Sequence, residues 1–184
     1  MHRDDELSPL KRHHTYLSPF VEFVRLVRRI MFAIQARFRI SIGSDVVIGK
    51  GCEVYVPTNG VIGSHVSIGS NFTSQVDFLI EDYVLISSHV SLIGNDHDLY
   101  SSELAYRTGR NEPAYIRIGR GAFVGFGATI LGNITVGRSA IIGARALVTR
   151  DVPDGAIVVG SPAKVLAYRK AFKACGENGK SIAR

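Results

Sequence analysis

Residues 118–148, "IGRGAFVGFGATILGNITVGRSAIIGARALV", repeat a pattern every six positions. An aliphatic side chain stands at Ile118, Val124, Ile130, Val136, Ile142 and Val148. Four places behind come Ala122, Ala128, Ala140 and Ala146, with Ile134 as a larger member of the same set. An amphipathic helix would return its apolar face every 3.6 residues and a half-buried strand every second residue, so neither has this period. A short strand followed by a tight turn does, and the glycine after most anchors suits the turn.

Upstream the anchors are Ile42, Ile48 and Val54, then, after a two-residue slip at "PTNGV" (57–61), Ile62, Ile68, Ile80, Ile86 and Leu92. Ser74 is the one gap. The second position is held by Val46, Cys52, Val66, Val84 and Val90, with a larger Phe72. Both signals keep register over fifteen hexads. Three hexads make an 18-residue coil, with coils starting at 42, 62, 80, 118 and 136. Such coils stack, pair their strands in parallel and line up their aliphatic side chains. Five exceed the roughly three repeats that a stack needs. A length of 184 residues with 46% apolar content suits one domain with a real core.

The series stops once. From Leu92 to Ile118 is 26 residues where six suffice, and a long loop extruded from a rigid repeat is usually functional. His97, in "GNDHD" (94–98), lies five residues past the last anchor. A histidine titrates near neutrality, and its neutral ring can take a proton from a hydroxyl. Asp96 and Asp98 flank it, and because adjacent residues of an extended chain point to opposite sides, at most one of them orients the ring. His65 and His89 fall three places after an anchor, at outward turn positions on different faces. Cys52 and Cys175 lie 123 positions apart, which indicates neither a disulfide framework nor a zinc site.

The net charge of +6 sits at the ends: +4 over residues 1–40, −3 over 41–160 and +5 over 161–184. A nucleic-acid binder would carry a basic stripe on its folded body, so none is expected as a partner. No run of 18 apolar residues and no signal-peptide pattern is present, which points to the cytoplasm. The expected organisation is a flexible start (1–17), a capping helix (18–40), the repeat body (41–160) with its loop (93–117), and a short helix and tail (161–184). The first helix is read as a lid on the open first coil, in preference to a basic helix on an acidic membrane surface.

The repeats, the His-bearing interruption and the ending "VGRSAIIGARALVTRDVPDGAIVVGSPAKVL" (136–166) resemble the hexapeptide-repeat acyltransferases, specifically the galactoside, maltose and xenobiotic O-acetyltransferase branch. The resemblance covers roughly residues 41–168. It implies a mainly β fold: a left-handed parallel β-helix of about five triangular coils, here with an N-terminal helix and a short C-terminal helix. It implies a homotrimer, acetyl-CoA as donor, a sugar or polysaccharide-precursor hydroxyl as acceptor, and no required metal. On the family pattern His97 is the general base and the backbone N–H of Phe126 the oxyanion donor. Phe123, Gly127, Ala144, Thr149, Arg150 and Lys164 fall at cofactor positions; Gln75, Asp77 and Asp96 fall near the acceptor. N-acetylation of an amino nucleotide-sugar is the close alternative. A metal-dependent hydratase of the carbonic anhydrase type, which needs three converging histidines, and a non-catalytic scaffold are the distant ones.

Overall fold

The anchors of the hexad series lie on three parallel sheets that enclose one core. The computed structural model describes residues 19–94, 102–104, 107–108 and 113–171. Face A holds β1 (Ile40–Ile42), β4 (Gly60–Ile62), β7 (Asp77–Ile80), β10 (Tyr115–Ile118) and β13 (Ile134–Val136). Face B holds β2 (Val47–Ile48), β5 (Ser67–Ile68), β8 (Leu85–Ile86), β11 (Phe123–Val124), β14 (Ile141–Ile142), β16 (Ala156–Val159) and β17 (Lys164–Tyr168). Face C holds β3 (Glu53–Val54), β6 (Thr73–Ser74), β9 (Ser91–Ile93), β12 (Thr129–Leu131) and β15 (Leu147–Val148).

Strand register turns the periodic anchors into columns. Ile42, Ile62, Ile80, Ile118 and Val136 stack on face A. Ile48, Ile68, Ile86, Val124, Ile142 and Val158 stack on face B. Val54, Ser74, Leu92, Ile130 and Val148 stack on face C. All are buried except Ile42, half-buried at the open first coil. Each buried aliphatic contributes about 1.5–3 kcal/mol, and the corner residues Val66, Phe72, Val84, Val90, Ala122 and Ala128 are buried with them. Ser74 turns into the core like the anchors above and below it, and its hydroxyl donates to the Val76 carbonyl at 3.3 Å. The solenoid has about six turns where five were expected. The sixth is shorter, made by β16 and by the bridge from Val136 to Val152.

The two-residue slip at 57–61 is absorbed at a corner. The N–H groups of Thr58 and Asn59 donate to Asp77 Oδ1 at 2.8 and 2.9 Å, and the Thr58 hydroxyl donates to Oδ2. Asp77 is only 8% exposed, so its carboxylate is desolvated on behalf of these three donors. Asp77→Ala is expected to cost roughly 2–4 kcal/mol, measured as a lowered midpoint of denaturant unfolding. A change under about 0.5 kcal/mol would mean that the corner holds without the carboxylate.

Helix α1 (Pro19–Gln35) ends where Arg37 and Phe38 take left-handed φ values of 52° and 58°. Only Phe32 and the following Ala36 are buried against the body, Phe32 stacking on Phe72 with ring centroids 6.5 Å apart. Arg29 donates to the Gly43 carbonyl at 3.0 Å, and Gln35 Oε1 accepts from the Val54 N–H at 3.3 Å. The lid expected of this helix is therefore one aromatic side chain and a methyl group wide. Its main apolar stripe faces away from the solenoid.

The C-terminal helix expected within 161–184 is corrected by β17, which runs antiparallel to β16. Without it, β16 would present a row of unpaired N–H and C=O groups at the edge of face B, and pairing satisfies them. Gly160, at φ 97°, permits the reversal. Residues 172–184 lie outside the described part of the chain.

Candidate active site

At each corner the turn exposes backbone N–H groups, and the next coil often supplies an acceptor. The Ser44 N–H donates to Ser64 Oγ at 3.2 Å, Ser64 to Asp82 Oδ1 at 2.7 Å, Ser70 to Ser88 Oγ at 3.1 Å and Arg138 to Asp154 Oδ1 at 2.7 Å. Phe126 occupies the same turn position between faces B and C. The residue one coil further on is Ala144, whose methyl group accepts nothing. Among the described residues the Phe126 N–H makes no hydrogen bond, while its carbonyl accepts from the Arg145 N–H at 2.8 Å. A free amide donor on an exposed corner is what a developing oxyanion requires.

The predicted cofactor residues fall in two groups. Phe126, Gly127 and Ala144 climb the corner between faces B and C, and Lys164 continues the climb, because Leu147 donates to Gly160 at 3.0 Å and accepts from Ala163 at 2.7 Å. Gly127 needs its left-handed φ of 67° there. Phe123 points outward on β11 beside this column, between Leu85 and Ile141. Thr149 and Arg150 are exposed at the other edge of face C, one strand away from Phe126. The Phe126 side chain is half-exposed, with its ring 5.1 Å from that of His89.

Gln75 lines a hollow of about 310 Å³ together with Gln35, Glu53, Tyr55, Thr73 and Ser74. Asp77 is not part of it, since its oxygens hold the corner at 58–59. His97 and Asp96 lie outside the described residues; the described chain stops at Gly94, at the edge between faces C and A. His65 stands at the corner between A and B, 3.2 Å from Asp45, and His89 at the corner between B and C, 3.1 Å from the Asn71 amide. Among the described residues no three of His, Cys, Asp and Glu converge. Burial pushes the Cys52 thiol above its usual pKa, which leaves it a poor nucleophile. The outer side of face A carries closed ion pairs, Arg117 with Glu81 and Arg138 with Asp154.

No protein-family model matches the chain. Serine acetyltransferase 4 of Arabidopsis thaliana is 34% identical over 143 residues, covering 76% of this chain and 34% of that one. The galactoside O-acetyltransferase of Escherichia coli is 29% identical over 127 residues, covering 65% of this chain and 62% of that one. A hexapeptide-repeat acetyltransferase from Vibrio cholerae, solved with acetyl-CoA, matches with a TM-score of 0.66 at 22% identity, over 84% of this chain and 91% of that one. In sequence and in fold the chain is similar to the hexapeptide-repeat acyltransferases. A mutant of AntD, an N-acyltransferase from Bacillus cereus solved with dTDP and coenzyme A, has the same fold, with a TM-score of 0.64 at 24% identity over 76% of this chain and 79% of that one. This hexapeptide-repeat chain spans only a third to two thirds of the length of the two curated enzymes.

Sequence reasoning missed Gln35, Glu53, Tyr55 and Thr73 as lining residues. Glu53 and Thr73 were within its reach, because the residue before each face C anchor points outward and register places these two side by side. Gln35 was not, since its approach depends on how α1 docks.

Proposed function

We propose that this hexapeptide-repeat protein transfers an acetyl group from acetyl-CoA to a hydroxyl of a sugar or polysaccharide precursor. The observation that carries the reading is the uncapped Phe126 N–H beneath Ala144, in a chain whose curated relatives are acetyltransferases. His97 takes the proton of the acceptor hydroxyl as its oxygen attacks the thioester carbonyl. The Phe126 N–H donates to the resulting oxyanion. Collapse breaks the carbon–sulfur bond, and the departing thiolate takes the proton held by the imidazolium, giving the acetyl ester and free coenzyme A. No acyl-enzyme is formed.

The pantetheine arm runs up the column of Gly127 and Ala144 past Phe123, with Lys164 and Arg150 as the cations for the phosphates and Thr149 as a further contact. Gln75, at the mouth of the hollow, contacts the acceptor, with Asp96 beside His97. Asp77 acts through the fold alone. The coils wind left-handed, as in the family.

The working unit is a homotrimer. Gly94, the last described residue before the interruption, and Phe126 lie at opposite edges of face C, roughly 15 Å of strand apart. The outward row of Leu85, Phe123, Ile141 and Ile157 on face B gives copies an apolar surface on which to meet. A second reading, N-acetylation of an amino sugar carried by a nucleotide, is favoured by Glu53, an exposed carboxylate in the hollow that suits an amine.

Thiol release from acetyl-CoA, measured against a panel of sugars and amino sugars, tests both readings. The expected result is release with a hydroxyl acceptor and a product cleaved by mild alkali. An alkali-stable product shows amide formation, and no release with any member of the panel overturns the proposed acceptor class.

A further inference from the structure

We infer that α1 lays its outward face on an anionic lipid surface. At 100° per residue, Phe23 and Ile30 stand about 180° and 160° around the helix from Phe32, the residue that holds it to the solenoid. Val27, Met31 and Ile34 fill the same outward arc. Phe23 is 62% exposed and Met31 54%, although their side chains are large and wholly apolar. Soluble proteins seldom leave a contiguous apolar stripe of this size uncovered. Nothing in the described part of this chain covers it.

Charge decides between the possible occupants. From residue 19 to residue 39 the chain carries five arginines, Arg25, Arg28, Arg29, Arg37 and Arg39, against the single acid Glu22. Two copies meeting face to face along this helix would bring two such cationic segments together. An anionic bilayer does the reverse: its acyl boundary takes the apolar stripe while its phosphates attract the net positive segment, with Arg28 and Arg37 exposed and Arg25, Arg29 and Arg39 held by Glu22 and by the Gly43 and Pro57 carbonyls. The helix is too short and too charged to cross; among the described residues no helix is long and apolar enough to do so. The geometry fits a helix lying in the plane of the interface with the solenoid standing above it. This inference is independent of the acetyl-transfer reading.

Flotation of the full chain with vesicles tests it, comparing phosphatidylcholine containing phosphatidylglycerol with phosphatidylcholine alone. The wild type is expected to float with the anionic vesicles, to bind the neutral ones at least about tenfold less and to be released by salt. The double variant Phe23→Asp, Ile30→Asp is expected to lose at least about tenfold in partitioning with its thermal midpoint unchanged, because both side chains are exposed. Arg28→Glu is expected to weaken the anionic binding alone. A wild type that ignores both vesicle types overturns the inference. If the double variant then also has a smaller mass by light scattering, the face is a contact between copies. Equal flotation of wild type and double variant overturns it as well.

Discussion

The His97→Ala variant is expected to release coenzyme A ~10²–10⁴-fold more slowly than the wild type with the same acceptor, while its affinity for coenzyme A stays within about twofold. The size of the loss follows from the role. A base that acts only as the hydroxyl proton leaves stabilises the transition state and contributes little to the ground state. The measurement therefore separates kcat from binding, by initial rates at saturating donor and by calorimetry with coenzyme A. An unchanged rate would assign the interruption at 92–118 to recognition or assembly. A lost rate together with lost donor binding would point to a misfolded loop.

Phe126→Pro is expected to cost ~10²–10³ in kcat, as does the loss of one oxyanion donor elsewhere. The substitution removes the N–H together with the ring and leaves the turn in place. Phe126 is the first central residue of a turn whose second central residue, Gly127, has φ 67°, and proline is favoured at that first position. No hydrogen bond among the described residues is broken, since the Phe126 N–H makes none. Phe126→Ala is the control. It keeps the amide and deletes the ring that packs near His89, so its rate is expected to stay within about threefold of wild type. If the proline and alanine variants are equally slow, the side chain matters and the amide does not.

The columns of the solenoid were legible because inward positions recur at a fixed interval and burial enforces them. The sequence alone places Ile118 and Val136 one above the other. The corner at Phe126 was legible only through the family pattern, but a physical sign was there: Ser64, Asp82, Ser88 and Asp154 give the turn below them an acceptor, and Ala144 gives none. Asp77 was read as near the acceptor because a carboxylate there looks available, whereas its oxygens accept from Thr58 and Asn59. Its partners, Thr58 and Asn59, came from the slip one coil earlier, where two extra residues needed somewhere to place their N–H groups. "SPAKVLAY" imitated a helix start, and over five residues no period could contradict it; the open edge of β16 settled the matter. Amphipathicity revealed that α1 has an apolar face but not that this face would point outward.

Along the corner between faces B and C, Phe126, Ala144 and the segment from Gly160 to Lys164 occupy successive levels, each about 4.8 Å above the last. The amide and the cation are thus separated by a whole number of steps. A gene that gained or lost one coil between them would lengthen or shorten this gauge by a single increment and leave both ends intact. Selection on donor length in such a scaffold would act digitally, in units of eighteen codons, whereas in most binding sites it acts through continuous adjustment of loops.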